Sequence, residues 1–388
     1  QELIRDMNTH LILETILNKG PLSRAELSKL LGLTKATVSA IVQTLLDSFL
    51  VVEIGSADTS KGRKPIMLTF NQACGNIIAV DISIDHIVIL LSDLKGENCQ
   101  LIEVPNTYSR ENLIPNLIKQ IDLVQKKVPP SVPYGVVGIC IGIHGIVHEN
   151  EIIFTPYCDF AGLPIQEELS NAFHIPVFLD NEANLSALGE KSFRKDCSNL
   201  INISVHAGIG VGLILENELY TGFKGFAGEF GHTIIVPNGR NCPCGNHGCL
   251  EQYTSERSIL EQYSIRKNIA IPDFAAFLRA WLAKDQIAVE VLDEFILFMG
   301  YAINNIVNLL NPQLIIINSS LISNIPELLP RIRNTLKSPR PYACEIAASR
   351  LQDTAILLGG VCVCAKEFLG ITQFVLNSKG DIVNTTNE

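Results

Sequence analysis

Between Gly228 and Glu251 the chain reads GEFGHTIIVPNGRNCPCGNHGCLE, which gathers two glutamates, two histidines and three cysteines in one short segment. Cys242, Cys244 and Cys249 are spaced C-x-C-x4-C, and Gly245 and Gly248 let the loop fold back so that three thiolates converge. A fourth ligand is then required, because Zn²⁺ in a structural site is tetrahedral with Cys and His ligands. His232 upstream is the best placed, with His247 inside the loop as its rival. The plainer alternative is a cluster of reduced thiols without metal, but close cysteines flanked by glycine favour zinc. Any fold for this chain must bring these side chains to one point.

The rest of the composition says where such a loop sits. A chain of 388 residues with 47% hydrophobic content is long enough for two or three domains with real cores. Its 11 cysteines fall partly in apolar runs such as VGICIGI and GVCVCAK, which reads as buried thiols of a cytoplasmic protein, not a disulfide framework. No signal peptide is read, and no apolar run approaches the roughly 18 residues of a membrane span, so no membrane partner is expected. Net charge is −10 overall, yet residues 1–70 carry eight Lys/Arg against seven Asp/Glu, or +1, leaving −11 for the remainder. Indiscriminate coating of nucleic acid is excluded; local DNA binding by the N-terminal module is not.

That module has its own punctuation. Leu3, Ile4, Met7, Leu11, Ile12, Ile16 and Leu17 recur at helical spacing over residues 3–18, and Gly20-Pro21 stops the helix. Ser23-Arg24-Ala25-Glu26 fits a capping box opening a second helix through Leu31, with Gly32 as its stop. Thr34 caps a third helix whose inward stripe is Val38, Ile41, Val42 and Leu45. Lys35, Ala36, Thr37, Ser39, Ala40 and Gln43 are left outside. Short, polar and cationic side chains suit a helix in a major groove. LVVEIG and IMLTF then flank SADTSKGRKP, a β-hairpin wing whose basic tip holds Arg63 and Lys64. The expected DNA contacts are therefore Lys35, Ala36, Thr37, Ser39, Gln43, Arg63 and Lys64, in a winged helix-turn-helix. From Asn76 strands and helices alternate, an α/β pattern, and strand-turn-strand units recur in NIIAVDISIDHIVILLSDLKG and LINISVHAGIGVGLILENELY. Two related lobes are implied.

The winged helix, DNEAN, HAGIGVG, GEFGH and CPCGNHGCLE follow in this order over nearly the whole chain, which thereby resembles the ROK family of sugar kinases and sugar-responsive repressors. The resemblance implies an actin-like (ribonuclease H-like, sugar kinase) fold with sugar in the cleft between two lobes. It also implies a structural zinc on His232, Cys242, Cys244 and Cys249, and sugar contacts at Asn181, Glu182, Glu229, His232 and Glu251. The expected division is 1–70 for the winged helix, 71–185 with a C-terminal helix of about 355–375 for the first lobe, 186–354 for the second, and a tail at 376–388.

Four departures bear on catalysis. Where the family's kinases carry D-x-G-x-T, Asp81 is followed by Ile82-Ser83-Ile84; His206-Ala207 replaces the start of G-T-G-I-G; Glu182 stands for a catalytic Asp; Asn318-Ser319-Ser320 replaces a glycine pair. A sensor without catalytic residues is expected, with an active ATP-dependent sugar kinase as the alternative. His144 and Tyr157 also depart from the pattern near the sugar, and the longer acid Glu182 with the large ring of Tyr157 shrinks the pocket toward a pentose, xylose being expected over glucose or N-acetylglucosamine. Operator DNA, a sugar effector and a homodimer or dimer of dimers complete the expected partners.

Overall fold

Reciprocal hydrogen bonds at Ser23 show how closely local sequence dictates the N-terminal module. The Ser23 amide donates to the Glu26 carboxylate at 2.7 Å, and the Glu26 amide returns a bond to Ser23 Oγ at 3.3 Å. The Ser23 amide, with the Ser23 hydroxyl beside it, also holds the Glu26 carboxyl below its usual range. In the computed structural model, which describes residues 2–56, 65–156, 158–337, 344–376 and 383–384, the module comprises α1 (Glu2–Lys19), β1 (Leu22–Ser23), α2 (Arg24–Leu31), α3 (Lys35–Asp47), β2 (Val51–Ser56) and β3 (Ile66–Phe70). Gly32 ends α2 at φ 66°, and Thr34 Oγ1 caps α3 by accepting the Thr37 amide at 3.1 Å. The strands form a sheet in the order β1-β3-β2. Only the second half of α1 joins the core: Ile12, Leu13, Ile16 and Leu17 are buried, whereas Leu3, Ile4, Met7 and Leu11 are exposed. The wing tip, with Arg63 and Lys64, lies outside the described residues.

The chain divides into two compact units, Gln1–Asn181 with Leu357–Glu388, and Glu182–Ile356. Beyond the winged helix the first holds β4 (Asn76–Ile82), β5 (His86–Asp93), β6 (Gln100–Pro105), α4 (Leu113–Gln125), β7 (Val136–Ile143), β8 (Ile146–His148), β9 (Glu151–Phe154), α5 (Ile165–Phe173) and β10 (Val177–Asn181). Its sheet runs β10-β7-β4-β5-β6, with antiparallel β4-β5-β6 and parallel β4-β7-β10. All eight residues of β7 are buried. A strand covered on both faces needs an unbroken apolar run, which VVGICIGI supplies.

The second unit repeats that plan. It contains α6 (Glu182–Lys191), β11 (Leu200–Val205), β12 (Ile209–Leu215), β13 (Glu218–Leu219), α7 (Glu251–Thr254), α8 (Glu256–Lys267), α9 (Phe274–Leu282), α10 (Gln286–Leu310), β14 (Leu314–Ser319), α11 (Ser320–Asn324), α12 (Leu328–Arg333) and β15 (Glu345–Ala348). Its sheet order β13-β12-β11-β14-β15 again places the first strand of the set between its hairpin partner and a later parallel strand. Numbered within each unit, both sheets read 3-2-1-4-5, the mark of duplication. One face packs Ile201, Ile203, Ile315 and Ile317 against α10, which is capped by Asp285. The other face meets α6, where the Asn202 amide donates to Ser186 Oγ and Ser204 Oγ at 3.0 and 3.1 Å.

α13 (Thr354–Leu369) leads back into the first unit, and β16 (Val383–Asn384) adds a parallel strand beside β6. The expected helix over 355–375 is thus shorter. Gly370 takes φ +61° and stops it, as a left-handed residue after a helix does. Against β7, α13 comes so close that a Cβ on Gly138 would lie 2.9 Å from Cys364 Sγ. Among the described residues no helix is long and apolar enough to cross a membrane.

The turn after β11 is held from α8, where the Glu256 amide donates to His206 O at 2.8 Å. The Glu256 Oε1 atom is buried without a hydrogen-bond partner. Burial pushes this carboxyl up to about 7 from an ordinary 4.5, against hydrogen bonds from Ser320 and Leu321 that lower it. A carboxyl with a raised folded pKa contributes stability that is complete below the unfolded value and lost as pH climbs through the folded one. Glu256→Gln should therefore increase the unfolding free energy at pH 8 by up to roughly 3 kcal/mol, with the gain fading as pH falls toward 5. Denaturant titrations at the two pH values check this, and equal stability of variant and wild type at pH 8 counts against it.

Candidate functional site

The loop after β12 folds on itself through backbone bonds: Cys242 N–H to Asn246 O at 2.9 Å, Gly245 N–H to Cys242 O at 3.0 Å and Gly248 N–H to Arg240 O at 2.8 Å. Gly248 is indispensable to this turn, since at φ +87° a Cβ would lie 1.7 Å from Val236 O. The result brings one ligand atom from each of His232, Cys242, Cys244 and Cys249 within 4.8 Å of the others, a group that can hold a metal ion. His247 is not in the group; it pairs with Asn241 across the loop. The spacing is informative. Bond lengths of about 2.3 Å to sulfur and 2.0 to 2.1 Å to nitrogen, at tetrahedral angles, put sulfurs roughly 3.8 Å apart and sulfur roughly 3.6 Å from an imidazole nitrogen. The structure has Cys244 Sγ 3.7 Å from Cys249 Sγ and Cys242 Sγ 3.5 Å from His232 Nδ1. A disulfide would need about 2.05 Å. Burial, with the neighbouring thiols Cys244 and Cys242 adding to it, pushes the Cys249 thiol up to about 12. A cation is what would make the ionised cluster stable.

The acidic residues are organised by the backbone of β12. A Cβ on Gly210 would stand 3.0 Å from Glu182 Oε1, and one on Gly212 would stand 2.3 Å from Ala183 O, so these glycines let the start of α6 lie directly on the strand. The same test at Gly228 finds Val211 O at 2.0 Å, and at Gly231 finds Ile209 O at 2.7 Å, which presses the Glu229–His232 turn onto the same strand. Glu251, at the start of α7, accepts the Ile209 amide at 3.2 Å and faces Arg257 at 3.4 Å. Arg257 was not anticipated from sequence, since nothing in its local pattern distinguishes it from a solvated helix cation. Glu229 lies 3.8 Å from His232 Nε2, an ion-pair distance, and His232 turns its other nitrogen toward Cys242. Burial raises the Glu229 carboxyl, which His232 lowers and Glu251 raises further. Glu182, Glu229, His232 and Glu251 thus border one strand of the second unit. Asn181, the last residue of the first unit, donates from Nδ2 to Gly145 O at 2.7 Å.

Side chains beside the first strand turn pair with one another. Asp81, 4% exposed, meets His144 Nε2 at 2.9 Å. Ser83 Oγ lies 3.1 Å from His86 Nε2, and His86 Nδ1 lies 2.6 Å from Asp85. Tyr157 lies outside the described residues. In the N-terminal module, Val38, Ile41, Val42 and Leu45 are buried and Lys35, Ala36, Ser39, Ala40 and Gln43 are exposed on α3. Thr37 is half-buried, its Oγ1 2.8 Å from Thr34 Oγ1, and Gln43 Nε2 donates to Asp47 at 2.8 Å.

Comparison with known proteins gives the chain its family. Residues 5–48 match winged helix-turn-helix DNA-binding domains, and residues 77–367 match the ROK family. The chain is 36% identical over 386 residues to the xylose repressor of Bacillus spizizenii, covering 96% of this chain and 98% of that one. A crystal structure of a ROK family transcriptional regulator, a homolog of the E. coli MLC protein, superimposes with a TM-score of 0.81 at 26% identity over 94% of this chain and 98% of its own. A ROK family glucokinase from Streptomyces griseus, in complex with glucose and AMPPNP, reaches 0.63 at 26% identity over 74% of this chain and 99% of its own. The kinase likeness thus leaves out about a quarter of this chain, whereas the regulator's likeness takes in nearly all of it. With the family match spanning residues 77–367 and a relative 36% identical over almost its full length, the chain belongs to the ROK family.

Proposed function

We propose that this protein is a cytoplasmic, sugar-responsive transcriptional repressor that leaves its operator when xylose binds. The observation that carries the reading is the union in one chain of a capped helix presenting Lys35, Ala36, Ser39 and Gln43 with a carboxylate cluster built around β12. In functional terms residues 1–70 read DNA, and 71–185 with the C-terminal helix and 186–354 form the two lobes. Glu182, Glu229 and Glu251 accept hydrogen bonds from sugar hydroxyls, with His232 and Asn181 as further contacts. Arg63 and Lys64 add phosphate or minor-groove contacts to those of Lys35, Thr37 and the rest of α3.

His232, Cys242, Cys244 and Cys249 would hold zinc, whose contribution is to fix the loop between Glu229 and Glu251 and the orientation of the His232 ring. Release follows from linkage: sugar binds the DNA-incompetent arrangement more tightly, and in a dimer this alters the spacing of two recognition helices on a two-fold operator. The rival reading, an active sugar kinase, is disfavoured because Asp81 is engaged by His144 and Ser83 lies against His86, where a kinase needs a turn open to phosphate.

Cys244→Ser should lower bound zinc below half an equivalent by elemental analysis and weaken xylose affinity in parallel, although no sugar contact is altered. A wild type purified without chelator that carries no zinc removes the metal assignment. Glu182→Gln should weaken xylose binding about 10- to 100-fold in calorimetry, the loss of one charged hydrogen bond, while DNA affinity without sugar stays within about twofold. Lys35→Ala should reduce the slope of log K against log salt by about one. Xylose-dependent ADP formation by the wild type at roughly 1 to 100 per second would establish the kinase instead.

A further inference from the structure

Lys95 sits in the turn between β5 and β6 and is only 5% exposed. A buried ammonium must find acceptors for its protons, and this one finds them on two distant segments. Its Nζ donates to Val375 O and to Leu17 O, the latter at 3.5 Å, and lies 5.3 Å from the Phe374 ring centroid. Leu17 O belongs to the last turn of α1, whose carbonyls have no partner within the helix and whose dipole favours a cation. The segment after α13 grips α1 at further points. Asn18 Nδ2 donates to Gln373 O at 2.9 Å, the Gln373 amide donates to Glu14 at 3.2 Å, and Gly370 approaches His10 so closely that a Cβ would lie 2.9 Å from Nε2. The turn itself is pinned, since a Cβ on Gly96 would lie 3.1 Å from Leu376 and 3.3 Å from Leu358 on α13.

A second arm reaches the recognition helix. Tyr134 packs edge-on against Phe368 of α13 with ring centroids 5.0 Å apart, and its hydroxyl donates to Ser48 O at the end of α3 at 2.7 Å. The end of α13 therefore holds α1 through Lys95 and residues 370–376, and α3 through Tyr134. The chain passes between its two units at only two places, Asn181 to Glu182 and within α13 at Ile356 to Leu357. One of these crossings thus leads directly to the contacts that fix the DNA-binding module.

We propose that Lys95 and Tyr134 are positioning residues that clamp the winged helix to the end of α13 and so make operator affinity answer to the sugar. The coupling rests on the repressor reading; the clamp itself does not. Full-length Lys95→Met and Tyr134→Phe are compared with wild type, Tyr134→Phe keeping the ring contact and losing only the bond to Ser48. Three quantities are read: xylose affinity by calorimetry, the ratio of DNA affinities without and with saturating xylose, and hydrogen exchange at α1 and α3. The DNA probe is a duplex selected by the wild type from a random pool. Expected are xylose affinities within about twofold of wild type, coupling ratios reduced at least about fivefold, and exchange at least about tenfold faster at residues 12–19 in Lys95→Met and 44–48 in Tyr134→Phe. Should Lys95→Met fail to fold, Tyr134→Phe carries the test alone. Unchanged exchange overturns the clamp, and faster exchange with an unchanged ratio overturns its role in coupling. A wild type indifferent to xylose overturns the repressor reading, and the exchange result still decides the clamp.

Discussion

Direct backbone contact with β12 is the constraint on which the second unit's chemistry depends. Gly210 and Gly212 admit α6, Gly228 and Gly231 admit the Glu229–His232 turn, and the amide of Ile209 is taken by Glu251. With no side chain intervening, three acids that are up to 69 residues apart in sequence are positioned by one stretch of main chain, and their separation is fixed by strand geometry instead of rotamers. Packed interiors deform little. The Cys3His loop then closes the arrangement from outside, because it lies in the chain between Glu229 and Glu251 and sets the path from one to the other.

What could be read beforehand and what could not follow different physics. Caps, turn glycines and apolar periodicity act over a few residues, and so the Ser23 box, the Thr34 cap and the cysteine loop all emerged at or near their expected places. At the glycines of HAGIGVG the approaching element is α6 of the same unit, which no local pattern announces. Features decided by distant partners were not legible. The apolar stripe of α1 continues past the point where neighbours stop covering it, leaving Leu3, Ile4 and Met7 exposed. The helix expected to 375 ends at Leu369 because residues 370–376 are drawn onto α1. Lys95, in a polar-looking turn, gave no hint that it would be enclosed.

The two units share a strand order and differ in what fills the strand turns. In the first, imidazoles from two elements occupy the space beside Asp81 and Ser83; in the second, the turn after β11 is tied down by the Glu256 amide. Both devices spend polar groups on internal bonds.

Asp81 and His144 tie the ends of the neighbouring strands β4 and β7 to each other. Removing the imidazole would by itself leave the nearly enclosed Asp81 carboxyl without this partner, and an unmet buried polar group costs about 1–3 kcal/mol. Since natural domains hold only about 5–15 kcal/mol in reserve, a loss of that size is a sizeable share of the whole, and positions 81 and 144 tolerate joint change more readily than single change. The contact therefore couples the two positions, so that what either residue may become depends on what stands at the other.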